Sequence, residues 1–317
     1  MTNNTTENIS ESSASVIAVA YYAFSLIIVG TVLNLLTYVV LCRSKFKDTD
    51  EQPTLYYIRT VAIFDVLMLY GWNFDHYTLT IHGFQLPTYT IASCKYAQFL
   101  NYFTAQISAW LRVFICLDRY LSLSRLHRTW FGRPKSVLII ITCIISFFTL
   151  FNLHLIIFGC FYDATGSLNA NSRLYTIYPM WDFVNLAMYN CLPFLLMVLF
   201  NSGVIYHLMR LRRTSTIQNS RIRHRAITIT LVVTTFLFLI MTIPATVAFG
   251  FFGNTAGDIV LYTLDSILYT YHILSFPLYM ITFTEFRREF IKMITCNRYG
   301  RRIAPQPATT THQLTRT

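Results

Sequence analysis

Long runs without a charged side chain constrain this chain more than any other feature of its sequence. Five runs free of Asp, Glu, Lys and Arg lie at 12–42, 136–162, 183–209, 226–257 and 266–284. An α-helix needs about 20 apolar residues to cross the hydrocarbon core of a bilayer, and each run is about that long or longer. Two more apolar segments, 55–79 and 95–124, carry isolated charges. The pattern predicts seven membrane-spanning segments.

Composition favours lipid rather than water as the solvent of these segments. Charged residues make up 12% of the chain, whereas soluble domains have about 25%. A chain of 317 residues could not cover seven nearly charge-free helices on all sides. Open strands are excluded from lipid, and the runs are too long for barrel strands. We therefore expect an all-α membrane protein, a seven-transmembrane helix bundle with spans near 15–41, 54–79, 92–124, 136–159, 180–210, 226–252 and 258–284.

The net charge of +11 is distributed on one side of these spans. If the N-terminus is outside, all but three of the 25 Lys and Arg residues lie in inner segments, the exceptions being Lys95, Arg112 and Arg173. This positive-inside bias predicts the orientation, and the basic loops would favour the anionic inner leaflet. We expect a multi-pass plasma-membrane protein with an extracellular N-terminus. Its basic residues should interact with the lipid bilayer and not with a nucleic acid.

The N-terminal residues 1–14 agree with this orientation. They contain three Asn-x-Ser/Thr triplets, which start at Asn3, Asn4 and Asn8. An extracellular tail would expose these asparagines to glycosylation. No basic stretch precedes the first apolar run, so we expect an uncleaved signal anchor.

The sequence after the seventh span has a different character. Residues 285–294 have an amphipathic pattern, which predicts a helix lying in the inner interface. Cys296 follows and is either a palmitoylation site or a plain free thiol. Residues 297–317 are rich in Thr, Arg and Pro and should be a disordered cytoplasmic tail. The seven-span domain is thus expected over residues 15–296.

Two cysteines are expected to pair outside the membrane. Cys94 lies 25 residues before Arg119, which is about 37 Å along a helix. If Arg119 is at the inner surface, Cys94 is therefore at the outer one. Cys160 ends the fourth span on the same side, in an oxidising compartment where a disulfide is expected. No Cys/His spacing suggests a metal site.

Two opposite charges lie inside the predicted spans. Asp65 is about 9 Å outward from Arg59, and Arg112 is about 10 Å outward from Arg119. The two residues therefore lie at similar depth on helices that run in opposite directions. Because unpaired intramembrane charges are costly, we expect Asp65 and Arg112 to face each other. The alternative is that Arg112 extends to the lipid headgroups.

The third span ends in Asp118, Arg119 and Tyr120. Asp118 can hold Arg119 through a charge-assisted hydrogen bond, a local latch that protonation or a partner could open. The tripeptide alone is unspecific. Taken together with seven spans, Cys94 and Cys160, it makes the sequence resemble rhodopsin-like (class A) G-protein-coupled receptors.

The resemblance covers about residues 15–296. Further matches fall in place at Gly30 and Asn34 in "GTVLN", Ala62 and Asp65 in "VAIFD", and at Pro193, Phe238 and Pro244. The ending "SFPLYMITFTEFRREF" looks like that of many invertebrate neuropeptide receptors, FMRFamide receptors among them. The resemblance implies that a ligand drives span six outward, which opens an inner cavity for a heterotrimeric G protein. It assigns G-protein coupling and activation to Asp65, Arg112, Asp118, Arg119, Tyr120, Pro244 and Tyr279.

The chain departs from the family at several positions. Thr242 replaces the span-six Trp that is often assigned a toggle role, and His224 stands where some members have Glu. The "NPxxY" motif becomes Ser275-Phe276-x-x-Tyr279 or, with less suitable spacing, Phe276-Pro277-x-x-Met280. Arg112 adds a positive charge to the family's sodium pocket, and we hypothesise that it replaces the ion.

The outer ends of the spans predict a ligand site. Asp75 and Asp265 lie about 24 and 27 Å outward from the inner ends of spans two and seven. Trp72, Asn101, Tyr102 and His272 should lie below or beside them. A cationic group of a short peptide would be the natural counter-ion; alternatively, both acids simply lie at the water interface. If they pair with the ligand, charge reversal at either acid should lower agonist potency at least tenfold.

Other assignments fit the sequence less well. Amine receptors would need Asp in place of Asn101, and opsins would need a lysine in span seven. A short, basic neuropeptide is therefore the leading ligand, followed by a small molecule sensed by a chemoreceptor. A transporter would need broken helices, which are not visible, and a channel would need a filter loop. We expect neither an enzyme nor a cofactor, since His154 and His272 lack a catalytic signature around them.

Overall fold

The computed structural model describes residues 3–43, 54–123, 133–214 and 219–295, apart from 254 and 256. Cys296 and the predicted tail 297–317 lie outside these residues, so the expectations about them stay predictions. The described residues form helices α1 to α12, one π-helical segment and one small sheet. In chain order they are α1 (Asn3–Leu41), α2 (Thr54–Leu69), α3 (Trp72–His82), α4 (Leu86–Tyr89), α5 (Ile91–Leu123), α6 (Pro134–Phe158), β1 (Gly159–Tyr162), β2 (Leu168–Ser172), α7 (Met180–Asn185), the π segment (Leu186–Cys191), α8 (Leu192–Thr214), α9 (Asn219–Phe252), α10 (Asp258–Tyr271), α11 (Ser275–Thr282) and α12 (Thr284–Ile294).

The helices confirm that the chain is a multi-pass membrane protein. Among the described residues, five segments are long and apolar enough to cross a bilayer: Ala14–Leu41, Thr54–His82, Pro134–Phe158, Met180–His207 and Val232–Phe252. A sixth is the pair Ile259–Tyr271 and Ser275–Thr282, which meet at 42°. The remaining predicted span, α5, contains Lys95, Arg112, Asp118 and Arg119. Its passage through the membrane, and hence the seven-span bundle, stays a prediction.

The first helix is longer than predicted. It begins at Asn3 rather than near residue 15, although its apolar part, Ala14–Leu41, coincides with the predicted span. The helix therefore runs through the three Asn-x-Ser/Thr triplets, and their glycosylation stays a prediction.

Two of the spans are interrupted, whereas the sequence analysis found no broken helix. Between α2 and α3, a Cβ added to Gly71 would lie 2.8 Å from the Asn101 Oδ1 atom. A side chain at residue 71 would therefore displace the Asn101 side chain from its place against this part of the chain. The second interruption, at His272–Leu274, separates α10 from α11. The expectation of continuous helices is therefore wrong at these two places.

The π segment lies just before Pro193. Proline has no N–H group, so residue 193 cannot donate the usual helical hydrogen bond to the carbonyl of Tyr189. The π turn widens the helix at this point. Tyr189 and the adjacent Asn190, both buried, bond to partners on different neighbouring elements.

An antiparallel hairpin of β1 and β2 lies at the end of α6. Within the described residues, this hairpin departs from the predicted all-α fold. Cys160 in β1 forms a disulfide with Cys94 near the start of α5, which confirms the predicted pairing. The hairpin is thus linked covalently to the helix that carries much of the predicted site.

The centre of the bundle is α5, which packs against α2, α6 and α8. Its residues Ile107 and Leu111 are completely buried. Large apolar side chains on other helices face outward; Leu150 is 69% exposed and Ile281 is 73% exposed. An apolar surface of this extent favours contact with lipid tails.

The short helix α12 closes the opposite end of the bundle from the hairpin, as the amphipathic pattern predicted. Phe286 is completely buried against Phe276 and Tyr279 of α11. Glu289 is also buried, and its carboxylate accepts a hydrogen bond from Lys292 at 2.9 Å. Arg43, just after α1, lies 3.9 Å from the same carboxylate. These contacts hold α12 against the end of α1.

Candidate functional site

The predicted pairing of Asp65 and Arg112 is confirmed. The Nη2 atom of Arg112 on α5 donates to Oδ2 of Asp65 on α2 at 2.6 Å. Asp65 is completely buried and Arg112 is 8% exposed. The guanidinium also lies 4.9 Å from the centre of the Tyr271 ring, a cation–π contact. Arg112 therefore faces the interior of the bundle, and its extension to the headgroups is excluded.

The second oxygen of Asp65 is also occupied. Oδ1 accepts a hydrogen bond from the Ser108 hydroxyl at 2.6 Å and one from His272 Nδ1 at 2.8 Å. Arg112 Nη1 donates to the hydroxyl and to the carbonyl of Ser108. We call Asp65, Ser108, Arg112 and His272 the midplane cluster. Oδ1 thus accepts from two groups and Oδ2 from the Arg112 guanidinium, so both oxygens of the carboxylate are bonded within the described residues.

His272 was expected to lie beside the ligand-binding acids, and this expectation is wrong. Its side chain is completely buried between Asp65 and the Tyr189 hydroxyl, which lies 3.2 Å from Nε2. The interruption between α10 and α11 frees its backbone carbonyl, which accepts from Asn34 Nδ2 at 3.1 Å. The interruption of the helix, which the sequence did not reveal, therefore gives His272 its place in the midplane cluster.

Asn190 links the π segment to α9. Its Oδ1 atom accepts from the Thr242 hydroxyl at 2.6 Å, and its Nδ2 atom donates to the Thr246 hydroxyl at 2.8 Å. Pro244, predicted to matter for activation, lies between these two threonines inside α9. We call Asn190, Thr242 and Thr246 the proline-flanking bridge. Thr242 was predicted only as the replacement of a Trp, and Asn190 was not predicted as a site residue.

The inner end of α5 carries the Asp-Arg-Tyr tripeptide. Asp118 is 6% exposed and accepts a short hydrogen bond from the hydroxyl of Thr54 at the start of α2. The ring of Tyr120 stacks on Phe200 of α8, and a Cβ added to Gly203 would lie 2.6 Å from it. The tripeptide thus connects α5 to α2 and α8 at this end of the bundle.

At the opposite end, two adjoining cavities lie between the helices. The inner one, here called the deep chamber, has a volume of about 40 Å³, and the other, the outer cavity, about 320 Å³. Trp72 and Phe249 line both, with ring centroids 5.9 Å apart. The deep chamber is lined by Met68, Trp72, Asn101, Tyr102, Ala105, Asp182, Asn185, Tyr189, Thr246, Phe249, Asp265, Leu268 and Tyr269.

The predicted ligand residues divide between these cavities. Trp72, Asn101, Tyr102 and Asp265 lie on the wall of the deep chamber, and Asp75 lies on that of the outer cavity, which Trp72 also lines. The structure therefore brings five of the six predicted side chains to one region and leaves His272 outside it.

The two predicted acids have different surroundings. Asp75 Oδ1 accepts the backbone N–H of Leu86 at 2.9 Å, so this carboxylate anchors the segment that precedes α4. Asp265 Oδ2 accepts from Nε2 of His76 at 2.6 Å. His76 itself packs against the ring of Tyr262. Neither acid simply lies at the water interface, since they are only 7% and 4% exposed.

A third acid, Asp182, belongs to the same region and was missed by the sequence analysis. It lies in the first turn of α7, and its Oδ1 atom accepts from the Tyr102 hydroxyl at 2.9 Å. Its position at the start of the charge-free run 183–209 was the signal that could have identified it.

The loop after the hairpin contributes to the outer cavity. Tyr178 lines this cavity, and burial raises the pKa of its phenol, which therefore stays neutral. Asn171 Oδ1 accepts the backbone N–H groups of Ile177 and Tyr178 at 3.0 and 3.1 Å. The loop is thus tied to β2, and β2 lies next to the disulfide-linked β1.

Comparison with protein-family models gives no match, and comparison with curated protein sequences gives none either.

Proposed function

We propose that this protein is a seven-span receptor of the rhodopsin-like type, which binds an extracellular ligand and activates a heterotrimeric G protein. The observation that carries the proposal is the arrangement along α5. Tyr102 on the wall of the deep chamber and Asp118 at the other end lie on one continuous helix, about 24 Å apart. The buried pair of Arg112 and Asp65 lies between them. Such a helix can connect a ligand site outside with a protein contact inside.

The contacts of α5 support its role as a membrane span. The helix has 33 residues and is therefore about 50 Å long. Arg112 is paired with Asp65, Asp118 is bonded to Thr54, and Lys95 near the outer end donates to the carbonyl of Ile157. Charges that are paired or lie near the interface are tolerated within a membrane helix.

The charge distribution and the disulfide support the proposed orientation. The basic residues cluster at the end of the bundle that carries Asp118 and α12, as the positive-inside rule requires for the cytoplasmic side. The disulfide of Cys94 and Cys160 lies at the other end, which suits the oxidising exterior. This assignment gives a plasma-membrane receptor with its N-terminus outside and its cavities open to the extracellular side.

The outer cavities favour a short peptide as the ligand. The outer cavity of about 320 Å³ has room for a few side chains but not for a folded protein domain. Its walls carry both aromatic and polar groups, which suits a ligand that is partly apolar and partly charged. A small molecule detected by a chemoreceptor would use the same walls and is the alternative ligand class.

The proposal is tested by screening a peptide library on cells that express the chain together with a promiscuous G protein. We expect at least one peptide to produce G-protein dissociation. Arg119→Gln should abolish that signal while peptide binding persists, because Arg119 lies at the inner end of α5. The matched control is Arg133→Gln, an exposed arginine at the start of α6, which should signal normally. Binding without any G-protein response in the wild type would contradict the proposal.

A transporter is the second candidate, since two interrupted spans are a feature of many transporter folds. Here the interruptions lie at Gly71 and at His272–Leu274. A transporter would move a labelled peptide or amine into cells without a G protein. Measurable uptake that Arg119→Gln leaves intact would favour this candidate over the receptor.

The role of Arg112 within the receptor has its own test. If its guanidinium replaces a sodium ion, agonist affinity of the wild type should not respond to sodium when choline is the control cation. Arg112→Leu should gain such a response, because Asp65 would then lack its cation. A sodium effect that is present in the wild type and lost in Arg112→Leu would contradict the hypothesis.

A further inference from the structure

The deep chamber has walls of a distinctive chemistry. Five of its lining residues are aromatic, namely Trp72, Tyr102, Tyr189, Phe249 and Tyr269. Two more are the carboxylates of Asp182 and Asp265, while none of the described lining residues is Lys, Arg or His. Aromatic faces attract cations through their quadrupoles, and carboxylates accept hydrogen bonds from them. All of these walls therefore favour positive charge.

One carboxylate oxygen on the wall of this chamber has no hydrogen bond to the described residues. Asp265 is only 4% exposed, and its Oδ2 atom bonds to His76. Its Oδ1 atom has no hydrogen-bond partner among the described residues. An ionised carboxylate oxygen is a strong hydrogen-bond acceptor, above all for a charged donor. The oxygen on the wall of an open space is therefore positioned for a donor that comes from outside the protein.

A second acid on the same wall, Asp182, also has one bonded oxygen, and Asn101 next to it is bonded to another wall residue. Asp182 uses Oδ1 for the Tyr102 hydroxyl, and its Oδ2 atom has no partner within the described chain. Asn101 is 8% exposed, and its Oδ1 atom accepts from the Tyr269 hydroxyl at 3.1 Å. A compact donor group that entered the chamber would meet both acids and the Asn101 side chain.

We infer that the deep chamber binds the ammonium or guanidinium group at one end of the ligand, and that Asp182 together with Asp265 determines this specificity. The inference rests on the proposed function, since it places the cation in the cavity through which the receptor would meet its ligand. It differs from the sequence-based expectation, in which Asp75 and Asp265 formed the acidic pair. Asp75 already anchors the backbone of Leu86.

The sizes of the two cavities define the shape of the ligand. The deep chamber, at about 40 Å³, holds a group of only a few atoms. The rest of the ligand must therefore occupy the outer cavity of about 320 Å³. Trp72 and Phe249, which line both cavities, form the neck between them. The ligand class is thus an extended molecule with a terminal cation, such as a peptide that ends in a basic group.

The inference can be tested without knowing the natural ligand. Purified full-length protein in lipid nanodiscs is titrated with n-butylguanidinium and with n-butylurea, which has a similar shape but no charge. The measured quantity is the shift of the thermal unfolding temperature, which gives an apparent Kd because a ligand that binds the folded state stabilises it. We expect a saturable stabilisation by n-butylguanidinium and none by n-butylurea.

The variants identify the groups that bind the cation. Asp182→Asn and Asp265→Asn should each weaken n-butylguanidinium binding roughly tenfold or more, as expected for loss of a charge-assisted hydrogen bond. The matched control is Asp163→Asn, an acid of the hairpin turn that lines neither cavity, which should bind like the wild type. If Asp182→Asn does not fold, Tyr102→Phe gives a second measurement; it frees the Asp182 carboxylate and should preserve or strengthen binding.

Several outcomes would overturn the inference. These are equal stabilisation by the charged and neutral probes, no stabilisation by either, or full affinity in both Asp182→Asn and Asp265→Asn. The assay contains no G protein, so its failure is separate from that of the proposed function. Cation binding without G-protein activation in cells would contradict the receptor proposal and preserve the cation site. If a ligand activates the G protein with the same potency in the wild type and in both variants, the cation site would be contradicted and the receptor proposal would be preserved.

Discussion

The midplane cluster and the deep chamber both contain carboxylates, but the two regions differ in how many of the carboxylate oxygens are hydrogen-bonded to the protein. In the midplane cluster, both oxygens of Asp65 are bonded to groups of the protein itself. In the deep chamber, Asp182 and Asp265 line the open space, and each has one bonded oxygen and one without a hydrogen bond to the described residues. A saturated carboxylate stabilises the bundle, whereas a carboxylate with a free oxygen is suited to an external partner. This difference indicates a structural role for the midplane cluster and a binding role for the deep chamber.

The largest effect should come from removing one charge of the midplane cluster. Arg112→Leu leaves Asp65 buried without its cation, which typically costs about 3–5 kcal/mol. We expect poor surface expression and a much lower unfolding temperature in detergent. In Asp65→Asn/Arg112→Leu the buried charge is gone and Asn can still bond to Ser108 and His272, so most of the stability should return. If Arg112→Leu were as stable as the wild type, the midplane cluster would not stabilise the bundle, and its contrast with the deep chamber would be wrong.

The next largest effect concerns the disulfide that holds the outer end. Cys94→Ser opens a loop whose ends are 66 residues apart, and such bonds contribute about 2–5 kcal/mol. We expect faster hydrogen exchange in β2 and loss of cation binding, with the midplane cluster still protected. Cys143→Ser, which removes an exposed free thiol, should have neither effect. Equal exchange in Cys94→Ser and the wild type would contradict this expectation.

A smaller effect is expected at the proline-flanking bridge, which lies between the two regions. Thr242→Val keeps the shape of the side chain but removes its hydrogen bond to Asn190, at a cost of about 1 kcal/mol. Since the bridge holds α9 to the π segment beside Pro244, we expect higher ligand-independent G-protein activation. The control is Thr263→Val, whose hydroxyl bonds only within its own helix. Unchanged basal activation in Thr242→Val would show that the bridge only supports packing.

The smallest effect should be that of Asp75→Asn. The amide oxygen can still accept the N–H of Leu86, so agonist potency should change less than threefold, on the order of half a kcal/mol. Asp265→Asn should lower potency roughly tenfold or more, because a charged donor loses its partner. Dose–response curves for the two variants, measured side by side, sharpen the assignment of binding to the deep chamber. If both variants lose agonist potency equally, Asp75 would be part of the ligand site.

Much of the architecture was predictable because it depends on distances along one helix at a time. Each of the five charge-free runs overlaps most of one apolar span of the structure. The rise of a helix placed Asp65 and Arg112 at one depth, and the cost of isolated charges in lipid then required them to pair. The same distance argument predicted the disulfide of Cys94 and Cys160.

The residues that were misplaced depend on backbone irregularities. His272 was predicted on a regular helix facing the ligand, but the interruption between α10 and α11 directs it to Asp65. Asn190 was not found because its position follows from the π turn before Pro193. A periodicity of 3.6 residues cannot predict which face a side chain takes after such a turn.

The sequence by itself determined that this chain is a helical membrane protein, which end of each span carries the positive charge, and that Arg112 needs Asp65. The preference of a segment for lipid or water depends on its hydropathy and charge, and both follow from residue type and order along the chain. Only the tertiary structure decided which carboxylates are saturated and which are free. That distinction depends on hydrogen bonds between residues far apart in sequence, such as Tyr102 with Asp182 and His76 with Asp265, and their geometry is set by how the helices pack.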